Sequence, residues 1–479
     1  MRFPVMAKLG ALAGVGLVLC GVLARIDGLV DERGQRREEA VRGVEQAHAG
    51  AQAGLGPLLV RRCTERWDEA ASKAEREPAA TERSFLLRQG PAQLTVDADT
   101  RAEPLYRGLF KVNAWSGHLV LDARFDDRAA LRPVATHPGG RVQCDGPQAM
   151  LALSDVRGIR MAQAQLDGAP LQVRPGTPSD KYPRGLQAAL PAGVVDGDGG
   201  RGPVTVRVAL DLVGTGGLAW VPAADQLGWT LRSDWPHPSF GGQFVPTQRE
   251  VRADGFRATW ALSSLATTAV ADVGRDVGLC VPAGAGAGGG EAAPKGDNCL
   301  DTMAVAFIDP VNPYVLSDRA TKYALLFIVL TFVAVGLVEV LSGRRVHPVQ
   351  YALVGLALSL FFLLLLSLSE HLPFATAYAL AATACALLLA FYASAMLGRR
   401  AAGAGFGAGI AALYGLLYAL LQMEQNALVI GSVMLFAALA AVMALTRRVD
   451  WYALFERMRA EPPAVASASM SEPAAGSAR

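Results

Sequence analysis

The sequence predicts an α+β membrane protein with one transmembrane helix, then a large β-rich domain, then a bundle of five transmembrane helices. Charged residues make up 18% of the 479-residue chain, below the about 25% of an ordinary soluble domain. The shortage is local. From residue 323 to 446 nearly all charge is confined to short gaps, whereas residues 27–322 carry an ordinary mixture. We therefore expect the first of these regions to lie in lipid and the second in water.

Residues 1–26 form the predicted N-terminal anchor. Their apolar run, Leu9–Leu23, is flanked by Lys8 and Arg25, and signal peptides and retained anchors share such a positive leading end. No Ala-x-Ala cleavage pattern follows the run. We interpret it as a retained transmembrane helix, with a cleaved signal peptide as the alternative.

The predicted extramembrane domain covers residues 27–322. It begins with a juxtamembrane helix over residues 27–53, where Val41 and Val44 fall near helical spacing, and Gly54-Leu-Gly-Pro57 is expected to end that helix. Beyond it, alternation of apolar and polar residues predicts half-buried strands in an antiparallel sheet or sandwich. The alternating segments are 109–115, 204–212, 229–232 and 256–262.

Four cysteines fall in this domain: Cys63, Cys144, Cys280 and Cys299. An even number outside the cytoplasm is compatible with two disulfides. Cys280 and Cys299 bracket the Gly-rich loop 281–298, so a disulfide between them is the simplest pairing, although the sequence leaves the pairing of all four open. Cys20 and Cys385 lie in apolar runs and are predicted to be buried.

Five apolar runs, each near the about 20 residues needed to span hydrocarbon, make up the predicted bundle at residues 323–446. The runs are 323–341, 349–368, 374–397, 405–421 and 427–445. Alternate gaps carry pairs of arginines, whereas the opposite gaps carry Glu370 and Glu424 and neither Lys nor Arg. The positive-inside rule therefore predicts that both termini are cytoplasmic and that the domain is outside. The cytoplasmic tail, 447–479, has a composition typical of a disordered end.

Charge and motifs argue against several classes of function. The formal net charge is +2, which gives no bulk electrostatic case for nucleic acid. Cys-x-x-Cys, His-Glu-x-x-His, Walker and dinucleotide-binding motifs are absent, and His118 and His137 stand isolated in the sequence. We expect neither a metal nor a cofactor.

Polar signatures recur along most of the chain: Tyr106–Gly108, Leu151–Gly158, Asp234–Phe240, Gly255–Trp260, Asp309–Asn312, Lys322–Phe332, Val338-Glu339, His347–Leu358 and Leu363–His371. In these segments, and in their order, the chain resembles the CreD family of inner membrane proteins. Gly336 and Phe362 depart from the pattern, because the family is expected to have an aromatic residue at the first position and a tyrosine at the second.

This resemblance implies an inner membrane protein of Gram-negative bacteria that is tied to cell-envelope integrity, colicin tolerance and stress responses, including those to β-lactams. It implies no settled molecular activity. We expect a non-enzymatic protein whose partners are the lipid bilayer and an unidentified periplasmic or membrane protein. A membrane-embedded enzyme or transporter acting on a lipid or cell-wall precursor is the alternative.

Three ionisable residues of the bundle are candidate functional groups. Glu339 lies inside an apolar run, where a charge costs about 2.5–3.5 kcal/mol on insertion scales. It is either a proton or ligand site or, as we favour, a carboxylate paired with Arg344 or Arg345. Glu370 and His371 lie in the hairpin between two helices, where they could sense acidity or, with Glu370 capping the next helix, be structural.

Asp234, His237 and Ser239 are the residue types of a catalytic triad. Residues three and two apart in an extended Pro-rich segment point in divergent directions, whereas a triad needs converging side chains. Trp235 and Phe240 are expected to anchor this segment. We therefore predict a rigid corner or docking edge rather than a catalytic site.

Overall fold

The computed structural model describes residues 3–68, 80–195, 202–281, 298–309, 313–342, 346–423 and 427–447. The Gly-rich loop, Arg344 and Arg345, Glu424 and the end of the tail lie outside these residues. The chain divides into two compact units, a domain of residues 34–312 and a membrane unit that combines residues 1–33 with 313–479. Each unit is described by itself.

Helix α1, Phe3–Ala47, is continuous over 45 residues. The predicted juxtamembrane helix, 27–53, is therefore part of the first helix, and its predicted end is wrong. Two of the last carbonyls of the helix accept hydrogen bonds from a side chain of the domain. Arg157 donates from Nη2 to the Glu45 carbonyl at 3.0 Å and from Nη1 to the Gln46 carbonyl. A basic group at a helix C-terminus satisfies carbonyls that lack partners within the helix.

The described residues of the domain are mainly strands, together with the end of α1, several 3₁₀ turns and the short helix α2 (Ala269–Gly274). The strands are β1 (Gln52–Asp68), β2 (Ala80–Gln89), β3 (Gln93–Ala102), β4 (Leu105–Arg107), β5 (Phe110–Val112), β6 (Ala114–Phe125), β7 (Arg141–Cys144), β8 (Gln148–Leu153), β9 (Ile159–Leu166), β10 (Ala169–Leu171), β11 (Val173–Pro175), β12 (Gly185–Ala189), β13 (Val204–Thr215), β14 (Gly217–Trp220), β15 (Gln226–Ser233), β16 (Pro238–Gly242), β17 (Gln248–Arg252), β18 (Gly255–Ser263) and β19 (Met303–Phe307).

Two large sheets and a small β4–β5 hairpin result. The first sheet runs β11-β12-β8-β1-β14-β19-β16, with β2 and β7 also paired to β1, and the second runs β10-β9-β13-β6-β3-β15-β18-β17. Most neighbours are antiparallel, and the β1–β14 and β3–β15 pairs are parallel. Three of the four predicted segments, 204–212, 229–232 and 256–262, lie within β13, β15 and β18. The fourth, 109–115, begins in the turn between β4 and β5 and is interrupted at Asn113, between β5 and β6.

One apolar core joins the two sheets. Leu59 and Leu151 of the first sheet share it with Val96 and Leu121 of the second. In β3 buried residues alternate with residues that are exposed or partly exposed, as expected of a strand with one face in the core and one in water. The predicted β-rich, sandwich-like domain is confirmed.

The segment Gly54-Leu-Gly-Pro57, predicted to end a helix, lies inside strand β1 instead. Gly54 is required for packing, because a Cβ there would lie 2.2 Å from the ring of Trp220. Gly56 has φ +110°, at an irregularity in the pairing of β1 with β8. Glycine and proline thus mark a close approach and a bulge here, which the sequence does not distinguish from a helix end.

The membrane unit contains, besides the first part of α1, helices α3 (Pro313–Ser342), α4 (Pro348–Ser369), α5 (Phe374–Leu397), α6 (Arg400–Gln422) and α7 (Ala427–Thr446). By length and composition, α1 and α3–α6 give five candidate membrane spans, and α7 holds a shorter apolar stretch, Gly431–Ala444. The predicted bundle is thus helical in all five places, although only four of its helices meet this criterion within the described residues. Cys385 is buried on α5, but Cys20 is exposed on α1, contrary to the prediction.

Glycines on α6 face two ways. A Cβ on Gly403 or Gly407 would lie 2.4–2.5 Å from atoms of α5, so these two positions allow the helices to approach closely. Gly405 and Gly409 have open space around them and line an apolar cleft with residues of α3 such as Val338.

Candidate functional site

The segment Asp234–Phe240 is a corner of the domain whose aromatic residues point inward. The indole N–H of Trp235 donates to the carbonyls of His237 and Ile308 at 3.0 and 3.1 Å, and the residue is only 7% exposed. Phe240 packs edge-on against Phe256, with centroids 5.7 Å apart. The aromatic residues therefore hold the corner together.

Asp234, His237 and Ser239 do not converge. The Asp234 carboxylate accepts the backbone N–H of Ala102 at 2.7 Å, and no hydrogen bond within the described part of the chain joins the three side chains. His237 and Ser239 are exposed. The geometry is that of the predicted corner, with Asp234 fastening the end of β3.

Glu339 lies in a polar cluster between three helices. It forms an ion pair with Lys8 of α1, accepts the hydroxyl of Tyr351 of α4 at 2.9 Å and accepts the backbone N–H of Val346 at 3.3 Å. The predicted partners, Arg344 and Arg345, lie outside the described residues. The cluster satisfies the carboxylate from α1 and α4, as a charge at helix depth requires.

Glu370 and His371 have separate environments. Glu370 pairs with Arg33 of α1 at 3.5 Å and has a side chain only 11% exposed. It does not cap the next helix, because the N-cap of α5 is Pro373, with no side-chain cap hydrogen bond. His371 is exposed, and its backbone N–H donates to Leu368. The nearby Ser369 hydroxyl donates to Leu366 within its own helix. Glu370 is therefore part of a contact between helices.

Two disulfides lie in the domain. One joins Cys280 to Cys299, the pairing that the spacing favours, and the other joins Cys63 of β1 to Cys144 of β7. The second pair sits opposite each other in the strand register, a proximity that the separation of 81 residues hides in the sequence.

Glu65 is a fully buried carboxylate whose hydrogen bonds hold a loop. It accepts the hydroxyl and N–H of Thr136 at 2.6 and 2.7 Å and the N–H of His137 at 2.9 Å. The Thr136 hydroxyl, then the His137 N–H, are the main causes that lower the pKa of Glu65 to about 2. The imidazole of His137 lies 3.4 Å from Glu65 and stacks on Trp67. His137 is thus not isolated, contrary to the interpretation of the sequence.

An open cleft of about 860 Å³ on the second sheet is lined by a cluster of ionisable side chains. Its cationic lining consists of Arg101, Arg160, Arg232, Arg252 and Arg257. His118 also lines it, opposite Asp99 and Asp211 in the strand register. Its acidic lining consists of Asp99, Asp211, Asp234, Glu250 and Asp254. We call this feature the charged cleft.

Ion pairs cross the charged cleft from strand to strand. Arg232 donates from Nε and Nη2 to both oxygens of Asp99 at 2.5 and 2.9 Å. These hydrogen bonds lower the pKa of the Asp99 carboxyl and raise that of the guanidinium. His118 Nδ1 lies 2.6 Å from the Asp211 carboxylate, so His118 also has a partner that the sequence did not predict.

The sequence reasoning missed the charged cleft. Asp97, Asp99 and Arg101 repeat at every second residue of β3, a period that places charges on one face of a strand. That signal gives the exposed face but not the neighbouring strands, because β3 lies between β6 and the distant β15. Within the described residues no group of three or more His, Cys, Asp or Glu side chains could hold a metal ion.

A β-sandwich domain that is carried by apolar helices long enough to span a bilayer defines a membrane protein with a large extramembrane domain. Comparison with known proteins identifies the particular family. The model of the family described as inner membrane protein CreD matches residues 4–452. The inner membrane protein CreD of Escherichia coli strain K12 is 33% identical over 458 residues, which cover 95% of each chain. The chain belongs to the CreD family of inner membrane proteins.

Two solved structures show slight similarity to this chain. The crystal structure of an M1 zinc metallopeptidase from Deinococcus radiodurans overlaps 45% of this chain and 42% of its own, with 12% identity and a TM-score of 0.21. A two-domain M1 zinc metallopeptidase bound to L-tryptophan covers 36% and 40% of the two chains, with a TM-score of 0.19. Likeness at this level carries no argument about fold or activity.

Proposed function

We propose that this protein supports cell-envelope integrity and the envelope stress response by binding a periplasmic or membrane partner with its β-sandwich domain, rather than by catalysis. The observation that carries the proposal is the charged cleft. Five strands contribute arginines to it or bind those arginines, and the opening is wide enough for a ligand or a segment of a partner. The ion pairs across it hold side chains in place for recognition of a charged group.

The cysteines support a periplasmic location for the domain. Both disulfides lie in the domain, whereas the unpaired Cys20 and Cys385 lie on apolar helices. Disulfides persist in oxidising compartments such as the periplasm and are rare in the cytoplasm. The arginine pairs in alternate gaps of the bundle support cytoplasmic termini by the positive-inside rule.

Thiol labelling in intact cells tests this orientation. In a background with Cys20→Ser and Cys385→Ala, a reagent that cannot cross a bilayer should label Cys280 and Cys299 after mild reduction. The same reagent should reach the cysteine of Arg399→Cys only after the cells are permeabilised. Labelling in the opposite order would contradict the proposed topology.

Site-specific photocrosslinking tests the binding role. A photoreactive phenylalanine in place of Asp254, in the charged cleft, should give a discrete adduct in intact cells. The same group in place of Arg249, on β17 but outside the cleft lining, is the matched control and should not. Equal adducts at both positions would count against the cleft.

The alternative function, a membrane-embedded enzyme or transporter, predicts that substitutions in the helices have the larger effect on envelope function. If Glu339→Gln or His371→Ala abolished envelope function in a stably inserted protein while Arg257→Gln had no effect, the functional site would lie in the helices. Our proposal expects the reverse ranking, measured as survival under β-lactam stress in a strain that lacks the chromosomal copy.

A further inference from the structure

The exposed face of the second sheet carries one continuous row of ionisable residues across six strands. In register, Glu250 of β17 faces Arg257 of β18, which faces Arg232 of β15. Arg232 in turn faces Asp99 of β3, which faces His118 of β6, which faces Asp211 of β13. Residues directly opposite in register share a face of the sheet. The row is therefore set by strand pairing rather than by flexible loops.

Four of the five carboxylates in the cleft lining already have partners. Asp99 is held by Arg232 and Asp211 by His118, and Glu250 accepts Nε of Arg252 at 2.9 Å instead of binding Arg257. Asp234, at the cleft edge, accepts the N–H of Ala102. Of the five carboxylates in the lining, only Asp254 has no hydrogen bond or ion pair among the described residues.

Three guanidiniums of the cleft lining have no partner among the described residues. No hydrogen bond or ion pair within the described part of the chain engages Arg101, Arg160 or Arg257, although all three line the cleft. Arg257 also lies directly opposite Arg232, and like charges directly opposite each other on a sheet are destabilising. Without a ligand, the domain therefore holds the Arg257 guanidinium at a position where no carboxylate in the described part of the domain neutralises it.

The positions of these arginines define the ligand. The strands of Arg257 and Arg101 lie two apart, roughly 10 Å across the sheet, and the strand of Arg160 lies three beyond that of Arg101, roughly 14 Å further across. Guanidinium groups bind phosphate oxygens in bidentate fashion and give up hydration easily. A ligand that reaches more than one of these arginines needs more than one anionic group or several acceptor oxygens, as phosphates provide.

We propose that the charged cleft binds a ligand through phosphate groups, held by Arg101, Arg160 and Arg257. The inference rests on the proposed binding role of the domain and specifies its chemistry. Such phosphates can come from a lipid headgroup or from a soluble phosphorylated molecule, and the two sources are distinguished by experiment.

Calorimetric titration of pyrophosphate into the full-length protein, held in phosphatidylcholine nanodiscs, measures this binding. We expect saturable binding that Arg257→Gln weakens about tenfold or more, the effect of losing a hydrogen bond between charged groups. Arg249→Gln removes the same charge from the neighbouring strand, outside the cleft lining, and should change Kd by less than about twofold, as screened surface charges do. Arg101→Gln is a second cleft variant with the expected behaviour of Arg257→Gln.

Thermal unfolding separates binding from folding. Because Arg257→Gln removes a like-charge opposition, its Tm without ligand should equal or exceed that of the wild type. Flotation of the nanodisc-held protein with vesicles of phosphatidylglycerol and phosphatidylcholine then identifies the source of the phosphate ligand. Recruitment that pyrophosphate competes away indicates a lipid headgroup, and pyrophosphate binding without recruitment indicates a soluble ligand.

Absence of saturable pyrophosphate binding, or equal weakening by Arg249→Gln and Arg257→Gln, would overturn the inference. The proposed function can fail or hold independently. A specific adduct from Asp254 without phosphate binding would leave a partner of different chemistry. Phosphate binding by a domain that thiol labelling places in the cytoplasm would remove the periplasmic role alone.

Discussion

In the membrane unit, Glu339 and Glu370 each pair with a cation of α1, whereas Arg101 and Arg257 in the charged cleft have no partner among the described residues. An unpaired charge costs several kcal/mol in a low-dielectric interior but little at a surface in water. Ionisable residues therefore serve different purposes in the two units. Pairs between helices fasten α1 to the bundle, and unpaired arginines on the sheet are available to a ligand.

The strongest test of this contrast is Glu339→Ala. It leaves Lys8 near an apolar helix surface without its carboxylate, and we expect a loss of about 2–3 kcal/mol in unfolding free energy, below the 3–5 kcal/mol of fully buried pairs because Lys8 is 33% exposed. Unfolding of the full-length protein in nanodiscs measures it. The double variant Lys8→Met with Glu339→Leu should recover most of the loss. Unchanged stability together with lost envelope function would indicate a proton or ligand site instead.

Glu65→Gln tests a buried carboxylate of the domain. The folded-state pKa of Glu65, about 2, lies below the usual 4.5, so ionisation stabilises the folded domain above pH 4.5 and this contribution is lost as pH falls toward 2. We expect a lower Tm for Glu65→Gln at pH 7, with the gap from the wild type closing on acidification. Melting curves between pH 7 and about pH 3 measure the gap. A constant gap would show that the hydrogen-bond geometry, rather than the charge, stabilises the loop.

Glu370→Gln should have a smaller effect. Its partner Arg33 is 3.5 Å away and one-third exposed, so we expect a loss of about 1 kcal/mol, between surface and buried pairs. The control is His371→Ala, an exposed neighbour whose loss should leave stability unchanged. A larger effect of His371→Ala would give this hairpin a function beyond packing.

Arg232→Gln should have the smallest effect of all. Its bidentate pair with Asp99 has good geometry, but both side chains are more than one-third exposed, and surface pairs contribute about 0–1 kcal/mol. Relief of the opposition to Arg257 offsets part of the loss. If Arg232→Gln lowered the unfolding free energy about as much as Glu339→Ala in the same experiment, the exposure of an ion pair would not determine its contribution to stability.

Hydropathy and alternation predicted most of the fold. The apolar runs form helices and the alternating segments form strands, because each pattern follows from which residues within a single element are buried. The prediction for Gly54–Pro57 was wrong because Gly54 packs against the ring of Trp220, a residue distant in the sequence. The shared cause of such misreadings is contact between remote strands, which no local period encodes.

The site residues were harder to predict. Glu339 and Glu370 stood out because a carboxylate in an apolar segment is rare, but their partners on α1, Lys8 and Arg33, lie more than 300 residues away in the chain. Trp235 was expected as an anchor and is buried in that role. The charged cleft was not predicted, since its members are ordinary surface residues until strand register brings them into one row.

The first helix has a practical consequence for anyone isolating the β-sandwich. Val41 and Val44 of α1 are buried against Val112, and Arg157 binds the carbonyls of Glu45 and Gln46. A fragment that started at Gln52, the first residue of β1, would expose this apolar patch to solvent and leave Arg157 with only the Asp155 carboxylate as acceptor. The excisable piece therefore begins at Gly34, with a helical stub as an integral part of its hydrophobic interior.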